Sequence, residues 1–335
     1  MRRLVALLAL LLVGCAPTTP TGSTVAPPPP PPDQLVFMAG YKAQANLPFV
    51  AAYVAKDLGF FREQNLEVEI QHSAGQGEHI RLLTTGVVHV TTATGMNVLS
   101  LAAESNLPLV AIALFGQRSD QAFAVKADTP IRTPKDFEGR VVGYKGRPST
   151  EYLALLRAAG VDRSKVQEVA VGFDPRILLT GRVDVLPVFR SNEPYLLRAM
   201  GQEVRLITPE EYNVPTLGLT YVTSRELLER KRSQLVRFLR ATLAATRWIE
   251  QRPAEALEIV LRYAPGEDRG HQAAMLAVEI ESLRGPAVDK DGPLALAPER
   301  WREVMDLAVQ LEVLPRPVPI DRITDDSLRR EALGR

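Results

Sequence analysis

One stretch limits what this chain can fold into more than any other: Asn46 to Ile70, NLPFVAAYVAKDLGFFREQNLEVEI. It has the pattern of a loop, an amphipathic helix, a turn and a strand. Pro48 suits a first helical turn, where its missing N–H costs nothing. Phe49, Val50, Tyr53, Val54 and Leu58 supply an apolar face, and Gly59 can end the helix in the left-handed region. Leu66-Glu67-Val68-Glu69-Ile70 alternates apolar with acidic residues, as a strand with one buried face does. Just upstream, Leu35-Val36-Phe37-Met38-Ala39 is short and wholly apolar, which fits a strand buried on both faces. The unit is strand–helix–strand, the start of a parallel α/β sheet. Phe60-Phe61 reads as an apolar plug beneath the turn. In such sheets ligands collect where strands end and helices begin, so the loop from Gly40 to Pro48 is the first candidate site.

The N-terminus has the character of a targeting segment. Arg2 and Arg3 precede an apolar run, Leu4 to Val13, that is too short to span a bilayer. Leu12-Val13-Gly14-Cys15 matches the bacterial lipoprotein cleavage pattern, with Cys15 as the lipidated residue. It is the chain's one cysteine, placed where lipidation needs it. Several acyl chains give stable anchoring. Residues 1–14 are therefore expected to be a signal peptide and residues 15–33 a lipid-anchored linker. The linker ends in Pro27 to Pro32, a semi-rigid polyproline spacer. Cleavage would remove two arginines and move the formal charge from +1 to −1. A near-neutral body with interspersed charges gives no case for a nucleic-acid partner.

The body repeats the strand–helix rhythm. Ser73-Ala74-Gly75-Gln76-Gly77 opens a helix from Glu78 and is either a plain turn or a loop of free N–H groups facing an anionic or carbonyl-bearing ligand group. Thr94-Gly95-Met96-Asn97 opens another helix. Three strand-to-helix loops thus converge on one sheet edge and bring Tyr41, Asn46, Ser73, Gly75, Gln76, Gly95 and Met96 forward as ligand contacts. Phe115 and Gln117 follow the next strand, Leu109 to Phe115.

The rhythm changes after Phe123 to Lys126. Arg140 to Tyr144 begins a second sheet, in which Tyr144, Phe189, Asn192 and Glu193 stand at strand ends. Asp174-Pro175 is a cap-and-first-turn pair. Leu217 to Val222 returns to the first block, and Arg225 to Arg335 is mainly helical. The expected organisation is two Rossmann-like lobes, 34–124 with 216–335 and 125–215, around a hinged ligand cleft.

Three segments carry a family resemblance: AKDLGFFREQNLEVEI, LLTTGVVHVTTATG and LLTGRVDVLPVFRSNEP. They resemble the NMT1/THI5-like substrate-binding proteins of ABC importers, relatives of the sulfonate and taurine binding proteins. The similarity runs from Leu35 to Trp248 and is specific at Asn192-Glu193-Pro194. It implies an α/β, type II periplasmic-binding-protein fold, an ABC permease with its ATPase as partners, and a flat nitrogen heterocycle as ligand. By this resemblance Asn46 and Glu193 hydrogen-bond the heterocycle's edge, while Tyr41, Phe115 or Phe189 stacks on its face. Pyrimidine-binding members carry Asn followed by His in the first loop; here Leu47 replaces the His. That replacement and the apolar Leu47-Pro48-Phe49 entry suit a larger, less polar ring, and resemblance to the flavin-importing branches of the family ranks riboflavin first, the thiamin pyrimidine precursor second and a sulfonate third.

Read from the residues alone, Asn192 and Glu193 serve equally well as helix caps, Phe189 as core and Asn46 as a cap. As a first-turn acid, Glu193 is expected to matter for ligand affinity and little for stability. Catalysis finds no motif: the four histidines lack a zinc spacing, and no nucleophile elbow, phosphate loop or carboxylate pair occurs. The expectation is a binding protein without cofactor, on the extracytoplasmic face of the cell membrane. The rival classes are an enzyme of the pyrimidine-synthesising kind and an extracytoplasmic sensor.

Overall fold

Ten strands form two sheets of matching order. The computed structural model describes residues 30–335, so the lipidation position Cys15 and the signal segment lie outside the described residues. The strands are β1 (Asp33–Ala39), β2 (Leu66–His72), β3 (Val90–Thr94), β4 (Leu109–Leu114) and β5 (Gln121–Lys126), then β6 (Val141–Lys145), β7 (Gln167–Val171), β8 (Leu186–Phe189), β9 (Val204–Ile207) and β10 (Leu219–Ser224).

The first sheet has the order β2-β1-β3-β10-β4, with β1 parallel to β2 and β3, and β10 antiparallel to both its neighbours. In the second, β5 lies antiparallel between β8 and β9, β6 is parallel to β7, and a parallel bridge from Val142 to Val185 joins β6 to the β8 side. Its order is therefore β7-β6-β8-β5-β9. In each sheet the one antiparallel strand is the one that arrives from the other sheet.

Local sequence explains the first unit. The helix Leu47–Asp57 carries Pro48 in its first turn, and nine of its residues are buried. Gly59, at φ 86°, turns the chain into the short helix Phe60–Glu63. Phe61 is buried and stacks at 5.4 Å on Phe238 of the long helix Arg232–Gln251. Phe37, Phe115 and Phe238 all surround Tyr221 of β10, whose hydroxyl donates to the Pro48 carbonyl oxygen at 2.6 Å. Edge-to-face aromatic contacts of this kind each add about 0.5–1.5 kcal/mol beyond area burial. They fasten the antiparallel strand to the parallel unit that begins the chain.

The two passages between the sheets touch. The Gly218 N–H donates to the Gly116 carbonyl oxygen at 2.9 Å, and the Gly116 N–H to that of Leu219 at 3.1 Å. A Cβ on Gly218 would stand 2.5 Å from the Arg118 carbonyl oxygen and 2.7 Å from Gly116 Cα. Both obstacles are backbone and cannot yield, so only glycine fits. The outward passage differs from expectation: β5 begins at Gln121 inside the second sheet, so the crossing lies at residues 115–120 rather than at 124–125. The apolar run Phe123 to Val125 looked like the end of one block because a central strand and a terminal strand have the same composition.

Candidate functional site

A cavity of about 300 Å³ opens between the sheets. One wall is the start of the helix Gly95–Ser105, with Met96, Asn97 and Ser100; the other is the loop Lys145 to Glu151 and Phe189 at the end of β8; Ser119 and Gln121 of the crossing form its floor. The strands β6, β7 and β8 are parallel neighbours, so their carboxyl ends share one edge of the second sheet. That edge holds Lys145, Phe173 just past β7, and Phe189.

Lys145 is the centre of this edge. Its Nζ lies 2.5 Å from Glu193 Oε1, 5.2 Å from the Phe173 ring centroid and 5.0 Å from that of Phe189. Phe173 is 75% and Phe189 42% exposed. An ammonium over ring faces is attracted by the ring quadrupole, so the cation positions both rings while leaving outer ring surface open. Phe189 is thus not core. Glu193 is 1% exposed and fully engaged, since its Oε2 accepts the Phe189 N–H at 2.8 Å. It is not the exposed first-turn acid that a Glu before Pro194 suggests. It holds Lys145 and the end of β8 in place. Asn192 beside it makes no side-chain hydrogen bond among the described residues.

Several expected contacts are committed elsewhere. Asn46 donates to Glu279 Oε1 at 2.8 Å and accepts from Gln44 at 2.5 Å, while the Leu47 N–H donates to Glu279 Oε2 at 2.9 Å. The first loop is pinned to the helix Arg269–Ser282, not held open for a ligand. Phe115 is fully buried against Tyr221 and offers no face to the cleft. Gln117 donates to the Leu114 and Ala295 carbonyl oxygens and acts as a strut. Gly95 is buried, with its N–H on the Gly218 carbonyl oxygen.

The loop at Ser73 to Gly77 also differs from expectation. Glu78 Oε2 accepts the Ala74 N–H at 3.0 Å, and the buried Ser73 hydroxyl accepts from Gly75 at 3.1 Å. A carboxylate of the chain itself occupies the loop that an anion would need. Gly75 and Gln76 have φ of 104° and 54° and serve the turn. Tyr41 is 51% exposed at the end of β1, and Tyr144 is half-buried in a recess shared with Gln121 and Lys145. Only Met96 and Phe189 of the expected residues line the main cavity directly.

Besides Asn97, Ser100, Ser119 and Gln121, the sequence analysis passed over Lys145, Arg147 and Glu151 of the lining, and Phe173, whose ring faces Lys145. Phe173 had a signal, a large apolar residue between Gly172 and the Asp174-Pro175 cap. Deeper in the cleft, burial pushes the Glu279 carboxyl up to about 7, with the Asp120 charge adding to the rise. Burial likewise raises Asp120 to about 6, against hydrogen bonds from Ser191. Burial raises Glu151 as well, helped by the charge of Glu210 and opposed by its own N–H and the hydroxyls of Ser149 and Ser119. Beside the cavity, the Tyr195 hydroxyl donates to Asp268 at 3.1 Å and its ring stacks on His271 at 5.2 Å, joining the two sides of the cleft.

Two sheets of this order, linked by a paired crossing around a cleft, make up the periplasmic-binding-protein fold of type II. Known structures share it. The aliphatic sulphonate binding protein SsuA of Escherichia coli matches with a TM-score of 0.62 at 16% identity, over 87% of this chain and 91% of that one. The sulfonate-binding SsuA from Methylobacillus flagellatus matches with 0.68 at 15%, over 91% and 94%. The desulfurization enzyme DSZB has the fold too, with a TM-score of 0.61 at 15%, over 90% and 99%.

The chain belongs to the NMT1/THI5-like family, whose model matches residues 46–256. Among its relatives, the formylaminopyrimidine-binding protein of Halalkalibacterium halodurans is 27% identical over 79% of this chain and 82% of its own length. The riboflavin-binding protein RibY of Chloroflexus aurantiacus is 29% identical over 83% and 82%.

Proposed function

We propose that this chain is an extracytoplasmic, lipid-anchored solute-binding protein of an ABC importer. It captures a flat heteroaromatic vitamin, riboflavin ahead of the thiamin pyrimidine precursor, and delivers it to the permease. The observation that carries this reading is the Lys145 ammonium between the exposed rings of Phe173 and Phe189, of which Lys145 and Phe189 line the cavity. Aromatic faces held open at a cleft suit a planar ring, and an ammonium between them suits its carbonyl edge. Names of two relatives point the same way, one for a pyrimidine and one for riboflavin. A sulfonate is disfavoured by Glu78, which fills the anion loop with negative charge. An enzyme on this fold has less support, since the sole cysteine is Cys15 and the Lys145 cation of the cleft is paired with Glu193. No helix among the described residues is long and apolar enough to cross a membrane, and attachment is assigned to Cys15.

Riboflavin titrated into the purified protein should quench its flavin fluorescence stoichiometrically. Phe173→Ala and Phe189→Ala should each weaken binding roughly tenfold, since stacking on one ring is worth about 1–3 kcal/mol. Both residues are exposed, so melting temperatures should stay close to wild type. Failure of riboflavin and of the aminopyrimidine to bind by calorimetry would end this reading. Attachment has its own check: Cys15→Ala should move the protein from the membrane to the soluble fraction or leave it unprocessed. Unchanged lipid labelling of that variant would remove Cys15 as the anchor.

A further inference from the structure

A second cavity, of about 440 Å³, lies beside the first, and Asn97 lines both. It runs between the helices Glu78–Thr84 and Gly95–Ser105. These helices follow β2 and β3, which are both parallel to β1, so they start at one sheet edge, the edge on which the main cavity opens. Both pack into one apolar cluster. Ile80, Leu101 and Leu107 give the groove apolar walls, whereas Arg81, Thr84 and Asn97 are exposed at its rim. No ion pair or side-chain hydrogen bond among the described residues engages the side chains of Arg81 and Asn97. Only their backbones bond nearby: the Arg81 carbonyl oxygen accepts from the Thr84 hydroxyl at 2.9 Å, and the Asn97 N–H donates to Thr94 at 3.2 Å. Thr84 thereby gives away its proton and keeps an oxygen that can accept.

We infer that this groove holds a hydroxylated carbon chain carried by the ring, its carbons on Ile80, Leu101 and Leu107 and its hydroxyls at Arg81, Thr84 and Asn97. A guanidinium offers donors only, a carboxamide both donors and an acceptor, and the Thr84 oxygen an acceptor. A hydroxyl both gives and takes, so one polyol can pair with all three. A plain alkyl chain would use the walls and leave the rim to water. The inference deepens the proposed function and rests on it: Phe173 and Phe189 hold the ring, and at Asn97 the chain passes from the first cavity to the second. Riboflavin carries such a chain, the ribityl group. The aminopyrimidine lacks one and would occupy the first cavity alone. Chain and ring together thus set the preference between these two ligands.

The test compares riboflavin with lumiflavin, which has the same ring with a methyl group in place of the chain. Wild type should bind riboflavin roughly tenfold more tightly or better, since several hydrogen bonds are at stake. Arg81→Ala should weaken riboflavin about fivefold and leave lumiflavin unchanged. Thr84→Tyr, which fills the groove, should bring riboflavin down to the level of lumiflavin. Arg81 and Thr84 are exposed and line the second cavity but not the first, so both variants should fold and keep the ring site. Equal affinity of wild type for the two flavins overturns the inference and leaves the proposed function standing, and this arm needs no variant to fold. An undiminished preference for riboflavin in Thr84→Tyr overturns it in the same way. Wild type that binds the aminopyrimidine and neither flavin overturns the inference alone, and wild type that binds none of the three overturns both.

Discussion

Replacing Glu193 with alanine is expected to lower the melting temperature by roughly 5–10 °C, in addition to weakening ligand binding. The side chain is 1% exposed and Lys145 is 16% exposed. Removing the carboxylate strands the ammonium and deprives the Phe189 N–H of its acceptor. Breaking a buried pair from one side costs about 3–5 kcal/mol. The low end applies here, because Lys145 retains a path to the cleft and two ring faces. Glu193→Gln keeps one acceptor and should fall between wild type and alanine. The double variant Lys145→Met, Glu193→Leu should regain much of the stability, since no charge is left uncompensated, while binding stays weak. Thermal melts of the four proteins decide this. A melting temperature for Glu193→Ala within about 1 °C of wild type would show that the pair does not hold the edge together.

The second large effect is on pH. Glu279 titrates near 7 in the folded protein, against 4.5 for the free side chain, and Asp120 near 6 against 3.8. Both are raised, so between about pH 4.5 and 7 the folded state binds protons that the unfolded chain does not. Stability from these groups is therefore fully present below the unfolded values and is lost as pH rises through the folded ones. The loss is on the order of 2–3 kcal/mol for Glu279, a contribution worth roughly 5 °C of melting temperature between pH 5.5 and pH 8. Acids held below their ordinary values by arginine, lysine or backbone N–H partners, among them Glu168, Asp136 and Asp268, act in the opposite direction at lower pH. Burial lowers His72, His79, His89 and His271, and these oppose the carboxyls below about pH 6.5, so the Glu279 contribution is read as the difference between wild type and Glu279→Gln. Glu279→Gln should flatten the slope above pH 5 and lower stability there, because an amide has one acceptor for the two donors from Asn46 and Leu47. An unchanged slope in the variant would refute the assignment.

What the sequence made legible follows from how local the physics is. The helix Leu47–Asp57, its ending at Gly59 and the strand Leu66–His72 could be read off because period, Pro and Gly act within a few residues. The return of Leu217 to Val222 to the first block was read too, but not its antiparallel direction nor the entry of β5 into the second sheet, since a buried strand has one composition whatever its partner's direction. The same holds for the site. The α/β rhythm pointed to strand ends and so brought Met96 and Phe189 forward, and both line the cavity. The pairs Asn46–Glu279 and Lys145–Glu193 are 233 and 48 residues apart, and nothing in either local pattern announces the other. Asn46 was therefore assigned to the ligand although the fold claims it. Glu151 drew no notice, because nothing local reveals that the first turn of its helix opens on a cavity.

At Gly116 and Gly218 the two chain crossings meet backbone to backbone, with no side chain between them. Strands in such contact can roll against each other but cannot slide without breaking the bonds that join them. Movement of one sheet relative to the other is thereby expected to be rotation about this contact rather than translation. Two dyes attached across the cleft, one beside Phe173 and one beside Tyr41, would then report that angle as one distance. Occupancy and signal would map one to one, which is the property required of a reagentless optical sensor.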